Sequence, residues 1–307
     1  MKSMGGSTDS LRLAVVGLGR MGQLHLRTLR RLPGVSVVAL IDVDHHKTDF
    51  ASLHGIPFLT SCKELIGRVD AAVIATPAHE HLVSTLPLLE AGIHCLVEKP
   101  LATSMPDLDK LGAAAVRRDV LLAVGHSERF NAGVLKAKAA IDQDTRSIHV
   151  LRKHLALTRH EIDIDVVHDL MVHDLDWIVD AVGELPIDLQ VIEAHQIEGR
   201  LEAASCKLFF SNGLEVVLEV NRAAPARQRA IVLNNGKSRL IISLDQPRGP
   251  EPDALTKQAE AFIGAVRGAQ APIATWGEAR NVMELVIRIR HECAARIDAS
   301  RRTALIV

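Results

Sequence analysis

The sequence predicts an α/β protein: an N-terminal Rossmann domain with a doubly wound parallel sheet, then an α+β domain with a largely antiparallel open sheet. Three observations lead to this fold class. An apolar strand runs into a glycine-rich turn near the start of the chain, and further apolar strands then alternate with helical segments. The second half replaces this alternation with neighbouring strand patterns joined by Asn-Gly turns. At 307 residues the chain has room for two domains of ordinary size.

A glycine-rich turn follows the first strand. Its spacing is Gly17-x-Gly19-x-x-Gly22: the first glycine suits a tight turn, the second lets a pyrophosphate approach the backbone, and the third lets the helix lie close to its strand. The N-terminus of that helix offers N–H groups and a positive dipole end to phosphates. A second strand, 35–41, ends in Asp42, 20 residues after Gly22, where a carboxylate hydrogen-bonds ribose hydroxyls. These features predict a dinucleotide site. The carboxylate favours NAD over NADP because it repels a 2′-phosphate.

Later strands of this domain are expected to end at the same edge of the sheet. Those at 70–75 and 94–97 run into Thr76-Pro77 and Glu98-Lys99-Pro100. Ligands of an open parallel sheet lie beyond the carboxyl ends of its strands. Lys99 is therefore expected beside the nicotinamide, where catalysis is the better interpretation than a surface lysine. The residues expected to contact the cofactor are Gly17, Gly19, Arg20, Met21, Gly22, Asp42, Thr76, Pro77, His79, Glu98 and Lys99.

Composition argues against several classes of function. The formal net charge is −1 without a basic block, which argues against non-specific binding of nucleic acid. No apolar run approaches the roughly 18 residues of a membrane-spanning helix, so no membrane partner is expected. The four cysteines lie far apart without a CxxC pair, which fits core thiols in a reducing cytoplasm. The chain contains no tyrosine, which excludes a mechanism that needs a catalytic one.

The domain boundaries follow from these patterns. Residues 1–10 resemble no signal peptide and are expected to form a flexible leader; the NAD-binding domain is expected at 11–124 and the α+β domain at 125–307. The segment 125–131 at the junction is dense in hydrogen-bonding groups, and domain junctions favour substrate pockets. In the second domain, strands are expected at 147–156, 188–197, 202–211, 214–222, 229–234 and 238–243, and helices at 166–182, 252–268 and 277–296.

The helices of the second domain are expected to cover one face of its sheet. The other face would carry Val216, Leu218 and Val220, or their alternates. If that face is apolar and uncovered, it should pair with another subunit, giving a homodimer or homotetramer.

The helix expected at 166–182 is rich in titratable groups. Asp169 and His173 are four residues apart and so share one helix face. Three interpretations compete: a metal site, a proton-transfer pair facing a hydroxylated substrate, and structural hydrogen bonding inside the domain. No metal is expected, because no third cluster of ligands is obvious and nicotinamide chemistry needs none.

Four motifs, in this order, resemble those of the Gfo/Idh/MocA oxidoreductase family. They are Gly17-x-Gly19-x-x-Gly22-x-x-His25, Glu98-Lys99-Pro100, Gly125-His-x-Glu-Arg-Phe-Asn131 and Asp169-x-x-x-His173-Asp174-x-Asp176. The resemblance extends from about residue 11 to the last helix. It implies an NAD-dependent dehydrogenase acting on CH–OH groups, in which Lys99, Asp169 and His173 form the catalytic group. The residues expected at the substrate are His126, Glu128, Arg129, Asn131 and Arg152.

The substrate expected from the resemblance is a small-molecule sugar. The GHxERFN and HDxD segments are most similar to those of UDP-N-acetylglucosamine 3-dehydrogenases, which make a 3-keto nucleotide sugar. This implies oxidation of a secondary hydroxyl of a nucleotide sugar. The alternatives are an inositol, polyol or simple-sugar dehydrogenase of the same family, and a sensor that binds the dinucleotide without catalysis. Recognition of UDP would need basic or aromatic groups, for which Arg129, Arg152, Arg159 and Arg222 are the candidates.

Overall fold

The computed structural model describes residues 10–155, 164–245 and 252–304. Residues 1–9 of the expected leader and Arg159 lie outside these ranges. The strands are β1 (Leu11–Val16), β2 (Val35–Ile41), β3 (Phe58–Leu59), β4 (Ala71–Ile74), β5 (His94–Val97), β6 (Leu122–Val124), β7 (Ser147–Leu155), β8 (Asp188–Ile197), β9 (Arg200–Phe209), β10 (Glu215–Ala224), β11 (Gln228–Asn234), β12 (Arg239–Ser243) and β13 (Ala274–Thr275). The α-helices are α1 (Arg20–Leu29), α2 (Thr48–Leu53), α3 (His81–Glu90), α4 (Met105–Arg118), α5 (Ala132–Ala140), α6 (Val172–Val182), α7 (Ala254–Val266) and α8 (Trp276–Ala304).

The chain forms two compact units. The first contains the residues up to Gly125 together with Leu255–Gly277, and the second contains His126–Ala254 and the residues from Glu278 onward. The expectation of one uninterrupted domain over 125–307 is therefore wrong for the returning segment. The physical reason is that β13 pairs antiparallel with β6 at the edge of the first sheet. The indole ring of Trp276 also packs directly on Gly112 of α4, where a Cβ atom would lie 2.4 Å from a ring carbon.

The first unit is built on a seven-stranded sheet in the order β13-β6-β5-β4-β1-β2-β3. All of its pairs are parallel except β6 with β13. From β3 to β6 this is the 3-2-1-4-5-6 order of the dinucleotide-binding fold, which confirms the doubly wound sheet. The last four residues of β1 and all of β4 are apolar and buried, as expected for a parallel sheet whose two faces are covered by helices.

The second unit contains a six-stranded sheet in the order β12-β11-β7-β10-β9-β8. Its neighbours are antiparallel except β7 with β10, so the expectation of a largely antiparallel sheet is confirmed. Most ends of its strands lie one or two residues away from the expected positions, and the others coincide with them.

One face of the second sheet is apolar and covered. Leu218 of β10 pairs with Cys206 of β9, whose Sγ lies 3.6 Å from Sδ of Met171, in the turn that precedes α6. This covered face carries the buried side chains of Val216, Leu218 and Val220. The residues that alternate with them along β10 lie on the open face. The open face carries ion pairs, among them Lys207–Glu215 and several groups around Glu219. It is therefore more polar than the apolar surface expected for subunit pairing.

No helix within 10–155, 164–245 and 252–304 is both long enough and apolar enough to cross a membrane.

Candidate active site

The carboxyl ends of the parallel strands lie level with one another in the first unit. Val16 pairs with Ile41 and with Ile74, and Val97 pairs with Ile74 on one side and Val124 on the other. The residues that follow these strands therefore come together at one edge of the sheet. They are Gly17, Asp42, Ala75-Thr76, Glu98-Lys99 and Gly125. This edge lies at the point where the strand order reverses between β1 and β4, the usual position of a dinucleotide.

The three glycines of the turn have different structural roles. Gly17 has φ +87°, and a Cβ there would lie 2.7 Å from the carbonyl group of Ala75. A Cβ on Gly22 would lie 1.7 Å from the carbonyl oxygen of Gly17, so only glycine lets α1 approach its strand this closely. At Gly19 a Cβ would meet no heavy atom of the described residues within 4 Å. Backbone atoms thus pack closely against Gly17 and Gly22, whereas the space next to Gly19 is open.

The start of α1 is available to an anionic group. Gly19 is the residue that caps this helix, and it has no side chain to satisfy the N–H groups of the first turn. Arg20 and Met21 begin the helix; the first is exposed and the second half-buried. Asp42 completes the turn by accepting hydrogen bonds from the backbone N–H groups of Leu18 at 2.7 Å and Asp44 at 2.9 Å. These features fit the pyrophosphate and ribose of NAD.

Polar groups after β4 border the same edge. The hydroxyl of Thr76 is buried and has no hydrogen-bond partner within the described part of the chain, so it suits a polar group of a bound cofactor. Pro77 and His79 are exposed. His81, the first residue of α3, is buried, with its ring nitrogens 2.9 Å from the carbonyl oxygen of Pro100 and 3.0 Å from that of Thr76. It thereby connects the segment after β4 to the segment after β5.

A buried hydrogen-bonded pair holds the residue before Lys99. Glu98 accepts a hydrogen bond from Nε2 of His25 in α1 at a distance of 2.7 Å, and both side chains are almost fully buried. Burial alone raises the pKa of Glu98, but the hydrogen bond from His25 and the positive charges of His25 and Lys99 together keep it below the usual value of 4.5. A Cβ on Gly125 would lie 2.9 Å from Cα of Glu98, so the end of β6 presses against the same residue. The backbone that carries Lys99 is therefore fixed from two sides.

The segment that contains Asp169 and His173 begins with a π-helical turn, Val167–Met171, which continues into α6. Such turns occur frequently at functional sites. Asp169 and His173 are only partly buried, whereas the residues directly before and after each of them are buried. They therefore lie on the accessible side of this segment, as their spacing predicts. Asp165 fixes its start by accepting hydrogen bonds from the backbone N–H groups of Val167 and His168.

Buried arginines fix this segment to the sheet of the second unit. Arg152 of β7 binds Asp174 through Nε at 2.9 Å and also reaches Glu128 at 3.2 Å. Burial alone lowers the pKa of Arg152, but these two carboxylates raise it by more. Arg222 of β10 binds Asp169 at 3.2 Å and both oxygens of Glu202. The Asp169 carboxylate is therefore held by a guanidinium on the covered face of the sheet.

The residues expected at the substrate all lie in the second unit. Arg129 is buried and forms a bidentate pair with Asp176, and Nε2 of His126 lies 3.8 Å from the same carboxylate. Asn131 caps α5 through the N–H group of Gly133 and donates to the carbonyl oxygen of Leu244. Glu128 lies between Arg152 and Arg229. These contacts give Arg129, Asn131 and Arg152 a structural role, and their contact with a substrate stays a prediction.

Sequence patterns do not predict several residues of these clusters. They give no role to His25, which lies in the first motif, or to the side chains of Asp165, His154 and Arg229. Only His25 carried a usable signal, because its position on α1, three residues after Gly22, makes it face the sheet. The other three become neighbours through strand pairing, which sequence spacing does not reveal.

No group of three or more His, Cys, Asp or Glu side chains in the described ranges has the arrangement of a metal site. The interpretation of Asp169 and His173 as ligands of a metal therefore has no further ligands to support it among those residues.

Comparison with known protein families gives a match to the first part of the chain. Residues 11–126 match the model of the Gfo/Idh/MocA family, described as an oxidoreductase family with an NAD-binding Rossmann fold. Over these residues the chain is similar to the Gfo/Idh/MocA oxidoreductases. The chain is a dehydrogenase, and NAD is the cofactor that its first unit fits.

The relatives with named substrates include dehydrogenases of a nucleotide sugar and of inositol. A UDP-N-acetylglucosamine 3-dehydrogenase of Acidithiobacillus ferrooxidans is 28% identical over 72% of this chain and 71% of its own length. An inositol 2-dehydrogenase of Agrobacterium fabrum is 30% identical over 56% of this chain and 55% of its own length. The relatives therefore share the dehydrogenase chemistry but differ in substrate.

Solved structures agree with the fold. The structure of the Acidithiobacillus ferrooxidans enzyme has a TM-score of 0.83 at 22% identity and covers 92% of this chain and 97% of that one. The structure of GenD2 from gentamicin A biosynthesis, in complex with NAD, has a TM-score of 0.82 at 23% identity. The match covers 96% of this chain and 97% of that one. At these identities the likeness establishes the fold of the chain.

Proposed function

We propose that the chain uses NAD to oxidise a secondary hydroxyl of a nucleotide sugar, in the manner of a UDP-N-acetylglucosamine 3-dehydrogenase. The observation that carries the proposal is the similarity to that enzyme over 72% of the chain. Two placements support it. Lys99 follows β5 at the edge where the cofactor turn lies, and Asp169 and His173 occupy the accessible side of their segment.

The proposed division of labour follows from the chemistry of the three side chains. NAD supplies the acceptor for the hydride when it is bound. His173 takes the proton of the substrate hydroxyl, because an imidazole titrates near neutral pH. Lys99 donates a hydrogen bond to the same oxygen and stabilises the negative charge that develops on it. Asp169, held by Arg222, orients the imidazole and balances the local positive charge.

The test is the formation of NADH with a panel of UDP-sugars, inositols and free hexoses. We expect turnover with a UDP-N-acetylhexosamine, and a loss of at least about a hundred-fold in Lys99→Ala and in His173→Ala. Binding of NAD, measured by calorimetry, should remain in both variants, because neither residue belongs to the turn that holds the phosphates. Full activity in either variant would remove that residue from the mechanism.

A second candidate is an inositol dehydrogenase. It is supported by several relatives of that name, one of them 30% identical. Turnover of inositols without turnover of any UDP-sugar would favour it over the first candidate. Tight binding of NAD without turnover of any compound in the panel would indicate a sensor and would refute both.

We further propose a cytoplasmic homodimer or homotetramer that associates through the open face of the second sheet. Ion pairs make much of this face polar, but Ile241, which is 62% exposed and pairs with Val232 on the open side of β11 and β12, gives it an apolar point of contact. The cytoplasmic location is supported by the four free cysteines. Ile241→Glu should shift the mass measured by light scattering toward the monomer. An unchanged mass would exclude this face.

A further inference from the structure

The covered face of the second sheet changes from apolar to charged along its strands. On β7, Ile148 and Val150 are followed at the same two-residue spacing by Arg152 and His154. The neighbouring strands change in the same way. On β10, Leu218 and Val220 precede Arg222; on β11, the apolar Ile231 is preceded by Arg229, which pairs directly with Arg152. One end of this face therefore carries Arg152, His154, Arg222 and Arg229 together.

The arginines at this end differ in how far protein groups satisfy them. Arg152 binds two carboxylates through Nε and Nη2, and Arg222 binds two carboxylates through Nε and both terminal nitrogens. Arg229 makes one such contact, from a terminal nitrogen to Oε1 of Glu128 at 2.9 Å. Its Nε is buried and has no hydrogen-bond partner in the described ranges. An Arg Nε–H group can only donate, so it requires an acceptor.

His154 lies on the same face, one strand away from Arg229. Its Nε2 is also buried without a hydrogen-bond partner among the residues that the structure describes. Burial lowers the pKa of His154, the Arg229 and Arg152 guanidiniums lower it further, and Asp169 opposes them. The ring therefore lies in a field that is positive overall, close to the carboxylate of the catalytic segment.

We infer that Arg229 and His154 bind an anionic group of the substrate. Arg229 Nε can only donate, and Nε2 of His154 donates in the tautomer that carries its hydrogen. Two such buried nitrogens on adjacent strands, in a positive field, fit a ligand that accepts hydrogen bonds and carries negative charge. A phosphate of a nucleotide sugar and the carboxylate of a sugar acid both have this chemistry. The inference rests on the proposed function, because it assigns the group that anchors the sugar while His173 acts on a hydroxyl.

The four arginines of these clusters differ in their protein partners. Arg129, Arg152 and Arg222 are bound by carboxylates of the protein, whereas Arg229 keeps a buried nitrogen without a partner in the described ranges, next to the strand that carries His154. Substrates with a neutral group at this position are expected to bind weakly, because they would leave buried polar atoms without adequate partners.

The experiment measures binding rather than turnover. Calorimetry with NADH present compares four probes: UDP-N-acetylglucosamine, N-acetylglucosamine 1-phosphate, glucuronate and neutral N-acetylglucosamine. We expect an anionic probe to bind at least tenfold more tightly than the neutral sugar. Preference for the phosphate esters or for glucuronate identifies which anion the site accepts. Equal binding of all four probes would overturn the inference.

Variants then test the residues. Arg229→Gln should weaken binding of the anionic probe by about ten- to a hundred-fold and binding of the neutral sugar by less than about threefold. His154→Phe, which keeps a ring but no nitrogen, should also weaken binding of the anionic probe more than binding of the neutral sugar. The matched control is Arg239→Gln, which removes an exposed arginine from β12 of the same sheet. Equal effects of Arg229→Gln and Arg239→Gln would overturn the inference.

Two further readouts separate the possible failures. Glu128 keeps its contact with Arg152 in Arg229→Gln, so folding should be preserved, and thermal unfolding checks this. If that variant does not fold, His154→Phe alone decides the outcome. Loss of anion binding in the variants, with no NADH formed from any sugar by the wild type, would support the site and refute the proposed function. Turnover of sugars by the wild type, with unchanged anion binding in both variants, would support the proposed function and refute the anion site.

Discussion

The buried pair between His25 and Glu98 gives the sharpest prediction for the first unit. The variant is His25→Leu, which fills much of the same space but removes the donor at 2.7 Å from the carboxylate. Glu98 is then buried without its partner, and the least costly response is to take up a proton. For a carboxyl with an ordinary pKa of 4.5, this costs about 1.4 kcal/mol for each pH unit above the pKa. At pH 7 the expected destabilisation is therefore about 3 kcal/mol.

The sign of the pH dependence follows from proton binding. In the wild type the pKa of Glu98 is lowered, so its contribution is fully present above pH 4.5 and is lost only as the pH falls through the lowered value. In His25→Leu the native state holds a proton that the unfolded chain has released. The penalty should therefore grow by about 1.4 kcal/mol per pH unit between pH 5 and pH 7.

The two tryptophans provide the assay. Trp276 belongs to the first unit and Trp177 to the second, so in a Trp177→Phe background the fluorescence of Trp276 reports the unfolding of the first unit. Urea titrations at pH 5, 6 and 7 then give the free energy of unfolding. The control His45→Leu replaces an exposed histidine and should change it by less than about 0.5 kcal/mol.

The double variant His25→Leu, Glu98→Gln removes the charge as well as its partner. We expect it to lose the pH dependence, because glutamine cannot take up a proton. A penalty of the same size at pH 5 and pH 7 in the single variant would refute the reasoning. It would mean that His25 contributes by packing and not by stabilising a buried charge.

Further predictions concern the glycine turn, the buried arginine and acid stability. Gly19→Val should fold normally but abolish binding of NAD in calorimetry, because the space above Gly19 is open. Gly22→Ala should instead lower the unfolding free energy by about 1–3 kcal/mol, since its Cβ would meet backbone. Equal losses of unfolding free energy in Gly19→Val and Gly22→Ala would contradict both predictions. Arg152→Met should cost about 3–5 kcal/mol in urea unfolding, because it leaves Asp174 buried without its main partner; a cost below 1 kcal/mol would contradict this. The difference in unfolding free energy between the wild type and Glu98→Gln should shrink as the pH falls below 4.5, because the lowered pKa of Glu98 makes its contribution disappear only in acid.

Much of the architecture could be predicted from local patterns. The glycine spacing, the apolar strands and the Asn-Gly turns are properties of short segments, and the structure confirms the Rossmann sheet, the antiparallel sheet and most element bounds. The return of Leu255–Gly277 to the first unit could not be predicted in this way. It depends on the pairing of the two-residue strand β13 with β6, which leaves almost no trace in the sequence.

The sequence by itself determined the fold class, the cofactor turn and the identity of the residues proposed for catalysis, because each is encoded within a few neighbouring positions. Only the tertiary structure decided which charged groups are already neutralised and which are available. Arg152 and Arg229 have the same side chain and lie opposite each other on paired strands, yet one is bound by two carboxylates and the other keeps a buried donor without a partner in the described ranges. Strand register and helix packing bring those carboxylates together from distant parts of the chain, so no local pattern could reveal the difference.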